Sequence, residues 1–191
     1  MNNLIVEDKE FRGLTFSKEE GLAKGDYENC RFVNCIFSNS NLSGINFMDC
    51  AFTDCNLSMT NMKDTSLKTV RFKSCKLVGI NFGDCNSFLL AVSFEDCILN
   101  LASFFKLKLK GTKFKNCNLQ EVDFVETDFT SASFENCDFA GAVFEKTILE
   151  KSDFRTSYNF SIDPEINRIK KAKFLRTEIG GLLYKYDIKI E

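Results

Sequence analysis

A large apolar residue returns every five positions along most of this chain, and that period limits the possible folds more than any other feature. It runs from Phe32 through Phe37, Leu42, Phe47, Phe52, Leu57, Met62, Leu67, Phe72 and Leu77 to Phe82. After a slip of two residues it resumes at Leu89 and continues to Phe154. A period of five matches neither the ~3.6 of a helix nor the ~2 of a strand. It matches a chain that takes one short extended step, turns, and repeats. Two positions before each centre sits a second residue, usually small, such as Cys35, Ser40, Thr60, Ala102, Thr127 or Ser152. That spacing puts both residues on one side of an extended step, the inside. The other positions are mostly Asn, Asp, Ser, Lys, Glu and Gly, which suit turns and solvent.

The number of steps per coil follows from a longer period. Cys35, Cys55 and Cys75 are twenty residues apart, and so are Cys97, Cys117 and Cys137. Phe32, Phe52, Phe72, Phe94, Phe114, Phe134, Phe154 and Phe174 form a second column with the same slip. Twenty residues make four five-residue sides. The expected fold is an all-β solenoid, a quadrilateral β-helix of about eight coils stacked ~4.8 Å apart. Stacked rings explain why 21 of 191 residues are Phe. Ile45, Val70, Ile80, Val92, Leu107 and Val122 are large for the small inner position, so their coils are expected to bulge. Lys73, Glu95, Lys115, Glu135 and Arg155 are expected to stack as a ladder of alternating charge beside the Phe column.

The ends depart from the repeat. In residues 1–24, Val6, Phe11 and Phe16 keep the period in a shifted phase, and Ser17–Gly21 absorbs the shift as a loop. This segment reads as an N-terminal cap and first irregular coil. Residues 25–174 read as the β-helix, with the slip between 82 and 89. Residues 175–191 read as a C-terminal helix and tail. There Ile179, Leu182, Leu183 and Tyr186 fall at the i, i+3, i+4, i+7 spacing of a short α-helix, with Thr177 as its N-cap. Gly180 and Gly181 weaken it by about 1 kcal/mol each. Ile188 and Ile190 extend the apolar stretch. The six apolar residues are expected to cap the last coil, to join two copies, or both.

The composition excludes several chemistries. There is no His, hence no Ser-His-Asp triad, no Cys-His pair and no His-ligated metal. A net charge of −2 gives no global field for direct nucleic-acid binding. No stretch approaches the ~20 apolar residues of a membrane span. Glu7, Asp8 and Glu10 precede any long apolar run, so no signal peptide is expected and a cytoplasmic location is. The nine Cys admit a structural, a disulfide or a metal reading. Stacked Cβ atoms ~4.8 Å apart exceed the usual disulfide span. No C-x-x-C occurs, and parallel side chains do not converge on a metal. The structural reading is preferred. No metal, no cofactor and no enzymatic activity are expected.

What remains is surface. Residues 106–115 carry five Lys and no acid, whereas residues 120–154 carry nine acids against two Lys. Phe88, Leu90, Ile98, Leu101 and Phe105 fall at outward positions near the slip. Phe88, Leu90 and Phe105, with Lys106, form a candidate partner-binding patch.

The repeats "CNLSM", "TNMKD", "ASFEN" and "CDFAG" resemble the motif of the pentapeptide-repeat family, over about residues 25 to 155. The resemblance implies a right-handed helix sense. Within the family, Cys55–Phe82 is similar to the corresponding part of the quinolone-resistance proteins. The end, "DPEINRIKKAKF…GLLYKYDIKI", is similar to that of bacterial relatives generally. This similarity implies a DNA-mimicking rod that binds DNA gyrase or topoisomerase IV. The acidic columns, including Glu121, Asp123, Asp128 and Asp138, would face the enzyme's basic DNA saddle. It also implies an end-to-end homodimer through the C-terminal helix. The chain departs from that subgroup in its low net charge and in a mid-rod interruption of only two residues. A protein-interaction scaffold with no topoisomerase role is the competing expectation.

Overall fold

A five-residue step repeats only if the backbone turns sharply after each one, and left-handed residues make that turn. In the computed structural model, which describes residues 4–189, Asn29, Asn34, Asn39, Asp49, Asp54 and Asp64 have φ between +50° and +57°. Asn and Asp tolerate this region, and Gly44, Gly79, Gly111 and Gly141 occupy it freely. At the tight corners the central carbonyl accepts the N–H three residues on, as from Ser40 to Phe37 and from Ala132 to Phe129, both 2.9 Å. With a positive φ at the third residue these are type II turns.

Between corners lie eleven short strands. They are β1 (Leu4–Glu7), β2 (Glu10–Arg12), β3 (Gly25–Glu28), β4 (Arg31–Val33), β5 (Asn46–Met48), β6 (Ala51–Thr53), β7 (Ser66–Lys68), β8 (Val70–Lys73), β9 (Val92–Glu95), β10 (Lys113–Lys115) and β11 (Ser133–Glu135). All pair in parallel. β1, β3, β5 and β7 make one face of the solenoid, and the other seven strands make the next. Isolated parallel bridges make the remaining two faces. Face three is the ladder Thr15, Ile36, Asn56, Lys76, Ile98, Asn118, Asp138 and Tyr158. Face four carries Asn41 paired with Asn61, and then Asn81, Ser103, Asp123 and Val143. Face one continues beyond β7 through Asn86 and then Lys108, Asp128, Ile148 and Arg168.

The interior is filled by its own side chains. Nine rings, from Phe11 through Phe94 to Phe174, stack along face two in eight steps, with centroids 4.6–5.4 Å apart. Rings of the neighbouring columns meet them edge-on, as Phe104 meets Phe94 at 5.9 Å and 82°. Stacking along the axis and edge contacts across it are the two favoured aromatic arrangements.

The structure corrects the expectation about bulges. Ile45, Val70, Ile80, Val92, Leu107 and Val122 are all buried within regular coils. The departure sits at residues 87–90 instead. There Asn86 N–H still pairs with Thr65 O and Ala91 N–H with Leu67 O, so four residues span what two would. Leu89 was expected inside. It is 64 % exposed with φ +58°, while Leu90 turns inward onto the core. The expected charge ladder forms only in part. Glu95 lies 3.6 Å from both Lys73 and Lys115, whereas Arg155 turns to Asp153 on its own strand at 2.7 Å.

The C-terminal α-helix is also corrected. Arg176–Leu182 and Tyr184–Tyr186 are 3₁₀ segments, and the first is preceded by Leu175 without a side-chain cap, so Thr177 lies inside it. The reason is docking. Gly181 O accepts Ile162 N–H at 2.9 Å, and a Cβ on Gly181 would stand 2.2 Å from Phe160 O. The two glycines read as weakening a helix include the one that lets the segment reach the last coil. Leu182 packs on the core. Ile190 lies outside the described residues.

Urea denaturation should report two of these contributions, and amide exchange a third. Phe94→Ala should lose about 3–5 kcal/mol, because a ring with stacked neighbours above and below leaves a cavity that cannot collapse. Thr69→Asn should gain about 1 kcal/mol, because a β-branched residue at φ +57° is strained. Gly181→Ala should release the C-terminal segment, seen as faster amide exchange at Ile162, while the Phe column stays intact.

Candidate partner-binding surfaces

Two kinds of corner decide which small residue lies inside. At tight corners a hydroxyl serves. Thr60 Oγ1 donates to Phe37 O at 2.7 Å, Thr127 to Phe104 O at 2.8 Å and Ser152 to Phe129 O at 2.8 Å. Where a strand runs up to the corner, the inner residue is usually Cys. Cys55 Sγ lies 3.3 Å from both Phe32 O and Thr53 O, and Cys75 repeats this with Phe52 O and Lys73 O. The larger atom reaches two carbonyls at once, and the one nearer in sequence also accepts a corner N–H of the preceding coil, from Asn34 to Thr53 O and from Asp54 to Lys73 O. Eight of the nine Cys sit at such corners, all but Cys85. All nine are free and buried. Burial pushes the Cys50 thiol up to about 11 and Cys85 up to about 12. A thiol shut away from solvent, as all nine are, is out of reach of reagents and a poor nucleophile.

The four acids proposed from sequence do not share one face. Asp123 lies on face four, with Glu121 at the corner that enters it, Asp128 on face one and Asp138 on face three. Their surroundings differ as well. Asp123 accepts from Ser103 Oγ at 2.9 Å and from Val125 N–H at 2.9 Å. Burial disfavours the charge on Asp128, but hydrogen bonds from Thr130 and the Lys110 ammonium outweigh it and hold the carboxyl below its ordinary value. Asp138 is likewise opposed by burial and held low by Asn159, Gln120 and Ala140 N–H. These two carboxylates spend their lone pairs inside the wall. Glu121, Glu126 and Glu145 project from face four and its corners, exposed. Glu126 pairs with Lys106 at 3.7 Å. Face two is the basic side, with Arg31, Arg71, Lys113 and Lys173 in one ladder.

The proposed apolar patch is divided too. Phe105 and Lys106 stand at the corner that leads into face one, and the Lys106 ammonium lies 4.6 Å from the Phe105 ring centroid. Phe88 projects on the far side of face one, 67 % exposed, under Lys68 at 5.9 Å. Leu90 belongs to the interior. At the C-terminal end Ile179, Tyr186 and Ile188 are exposed, whereas Leu182 and Leu183 are half-buried. Lys185 pairs with both Asp163 (3.0 Å) and Glu165, and Tyr186 Oη donates to Glu165 at 3.1 Å. These contacts tie the segment to the last coil.

Sequence reasoning placed the acidic run but not its distribution. A corner residue such as Glu121 and a ladder residue such as Asp138 look alike in a five-residue motif. Only the bonds made in adjacent coils separate them.

The sequence profile described as "Pentapeptide repeat region" matches residues 26–89 and 86–154. No curated protein matches the chain. Among solved structures, HetL, described as a pentapeptide repeat protein involved in heterocyst differentiation regulation from Nostoc sp. strain PCC 7120, superposes with a TM-score of 0.67. The pair shares 13 % identity over 89 % of this chain and 86 % of HetL. Full-length QnrB1, described as a plasmid-mediated fluoroquinolone resistance protein, gives 0.48 at 19 % identity, over 96 % of this chain and all of QnrB1.

In native protein, a thiol reagent such as DTNB should modify almost none of the cysteines within minutes, and all nine should react in denaturant. Fast native labelling would contradict the buried thiol column. Asp128, Asp138 and Asp153 are all held below the ordinary carboxylate value. Their stabilisation is therefore complete above about pH 4 and lost as pH falls through the depressed values. Asp138→Asn should flatten the acid limb of a plot of melting temperature against pH.

Proposed function

The chain belongs to the pentapeptide-repeat family, and from that premise we propose that it is a non-enzymatic protein-binding rod whose acidic third engages DNA gyrase or topoisomerase IV in place of DNA. One observation carries this reading. Glu121, Asp123, Glu126 and Glu145 follow one another along face four and its corners over two successive coils. Glu126 N–H pairs with Glu145 O, which brings these two acids together across adjacent coils. A rigid cluster of carboxylates along one edge offers a basic groove a fixed patch of negative charge, as a nucleic-acid backbone does. The interior is filled by stacked rings, so the rod has shape and charge to offer rather than a reaction chamber. The similarity of Cys55–Phe82 to the quinolone-resistance proteins favours this class of partner. Asp128 and Asp138 serve the wall in this reading and the exposed Glu residues make the contact.

The exposed Ile179, Tyr186 and Ile188 at the C-terminal end support a homodimer through that segment. Light scattering should give twice the chain mass. Ile179→Asp with Ile188→Asp should return the monomer mass.

A gyrase supercoiling assay with and without ciprofloxacin tests the function. The expected result is inhibition, or protection from the drug, at micromolar protein. The triple variant Glu121→Lys, Glu126→Lys, Glu145→Lys should abolish it. No effect of the wild type at on the order of tens of micromolar rejects the topoisomerase reading.

A further inference from the structure

We infer that the bulge at residues 87–90, together with the basic groove beside it, is a docking site for a short acidic peptide segment that carries an apolar side chain. Phe88 and Leu89 are 67 % and 64 % exposed at the corner between faces one and two. They are adjacent in sequence, and each leaves about two thirds of its surface to solvent. Directly beyond them in the chain, a shallow groove crosses three coils. It is lined by Thr69, Arg71, Ala91, Ser93, Gly111 and Lys113. Small residues keep its floor low. A Cβ built on Gly111 would meet nothing within 4 Å.

The charged residues that line the groove, Arg71 and Lys113, are both cations. Lys68 lies over the Phe88 ring. Arg71 and Lys113 flank Ser93 in the face-two ladder. Lys108 and Lys110 stand on the next turn of face one. Among the described residues, Lys68, Arg71, Lys108 and Lys113 have no ion pair, whereas Lys110 is pinned to Asp128 at 3.4 Å and Lys73 and Lys115 share Glu95. Four cations without an ion pair beside two exposed apolar side chains favour a ligand that brings both carboxylates and an apolar anchor.

The extent of the basic region favours a peptide over a nucleic acid. It covers three coils, roughly 10 Å at the spacing of paired strands. Asp49 lies at the same edge one coil to one side, and Asp128 and Glu135 one coil to the other. A phosphate backbone following the rod would meet these acids at once. An extended peptide of a few residues would not. This surface is separate from the acidic edge of face four, so the rod would hold two partners of opposite charge.

The test is display selection of random dodecapeptides on the full chain, followed by fluorescence anisotropy with the selected peptides. The expected sequences are rich in Asp and Glu and contain one Phe, Leu or Trp, and their binding weakens as salt rises. Phe88→Ser with Leu89→Ser, and separately Arg71→Glu with Lys113→Glu, should each weaken binding by about tenfold or more. Thermal unfolding confirms that each variant is folded. If the serine pair does not fold, the charge-reversed pair carries the test, since its side chains are exposed. Selection of sequences without acidic bias overturns the proposal, as does equal binding to wild type and both variants. Fluorescein-labelled dT12 binding more tightly than the peptides at this site would assign it to nucleic acid instead. Self-association lost in both variants would assign it to a second copy.

Discussion

Each coil is held to the next by main-chain hydrogen bonds parallel to the axis, such as Ala51 N–H to Cys30 O and Arg71 N–H to Cys50 O, both 3.0 Å. These bonds form only if every coil closes in the same number of residues. A backbone group that missed its partner would be buried and unsatisfied. Closure depends in turn on a left-handed residue at each corner. Where Asn, Asp or Gly fill that role the conformation costs little. At Thr69, Leu101, Lys106 and Glu121 it does not suit the residue, yet φ remains between +56° and +61°. The ladder on either side imposes it. The Phe column is a consequence of the same closure, since identical rings stack only when they return to the same place on each turn.

A solenoid built this way moves all variation to its surface. The inner positions are committed to Phe, Leu and small residues that bond to carbonyls. The outer positions are bound only by their place in a ladder. The four faces are therefore free to differ, and they do. Face two is basic, face three is nearly uncharged with Ile36, Ile98 and Tyr158 exposed, and face four carries the projecting acids. The bulge at residues 87–90 lies at the corner between faces one and two. Face two resumes pairing at once with Val70 and Val92, whereas on face one, among the described residues, no bridge joins Asn86 to Lys108.

Much of this was legible in the chain. The period of five and the twenty-residue columns appear in the structure where they were read, whereas the two-residue slip, read between 82 and 89, falls at residues 87–90. The errors share one cause. Leu89 and Leu90 are both Leu, and periodicity assigned the inner place to the wrong one, because a bulge lets local geometry choose the register. The large inner residues Ile45 and Val122 fit without distortion, because the residues stacked on them in adjacent coils are small, Gly25 and Thr65 on Ile45 and Ala102 and Ala142 on Val122. The C-terminal apolar spacing suggested an α-helix. Gly181 closing on Phe160 favours the tighter 3₁₀ turn instead. The candidate site followed the same pattern, with the charges placed in sequence and their partners not.

The sequence by itself determined the coil, since each five-residue motif contains its own step, turn and inward pair. It also determined that function would lie on the outside, since nothing in the motif leaves space within. Only the tertiary structure decided which carboxylates are available. Asp138 is held by Gln120 from one coil and Asn159 from another, whereas Glu121 points outward beside Gly141. It also decided why Cys recurs where it does, at corners where a sulfur bridges two carbonyls from residues 23 and 2 positions earlier. The physical reason is the same in both cases. A side chain's charge and size are local properties, but the groups that satisfy them arrive from the next turn of the helix.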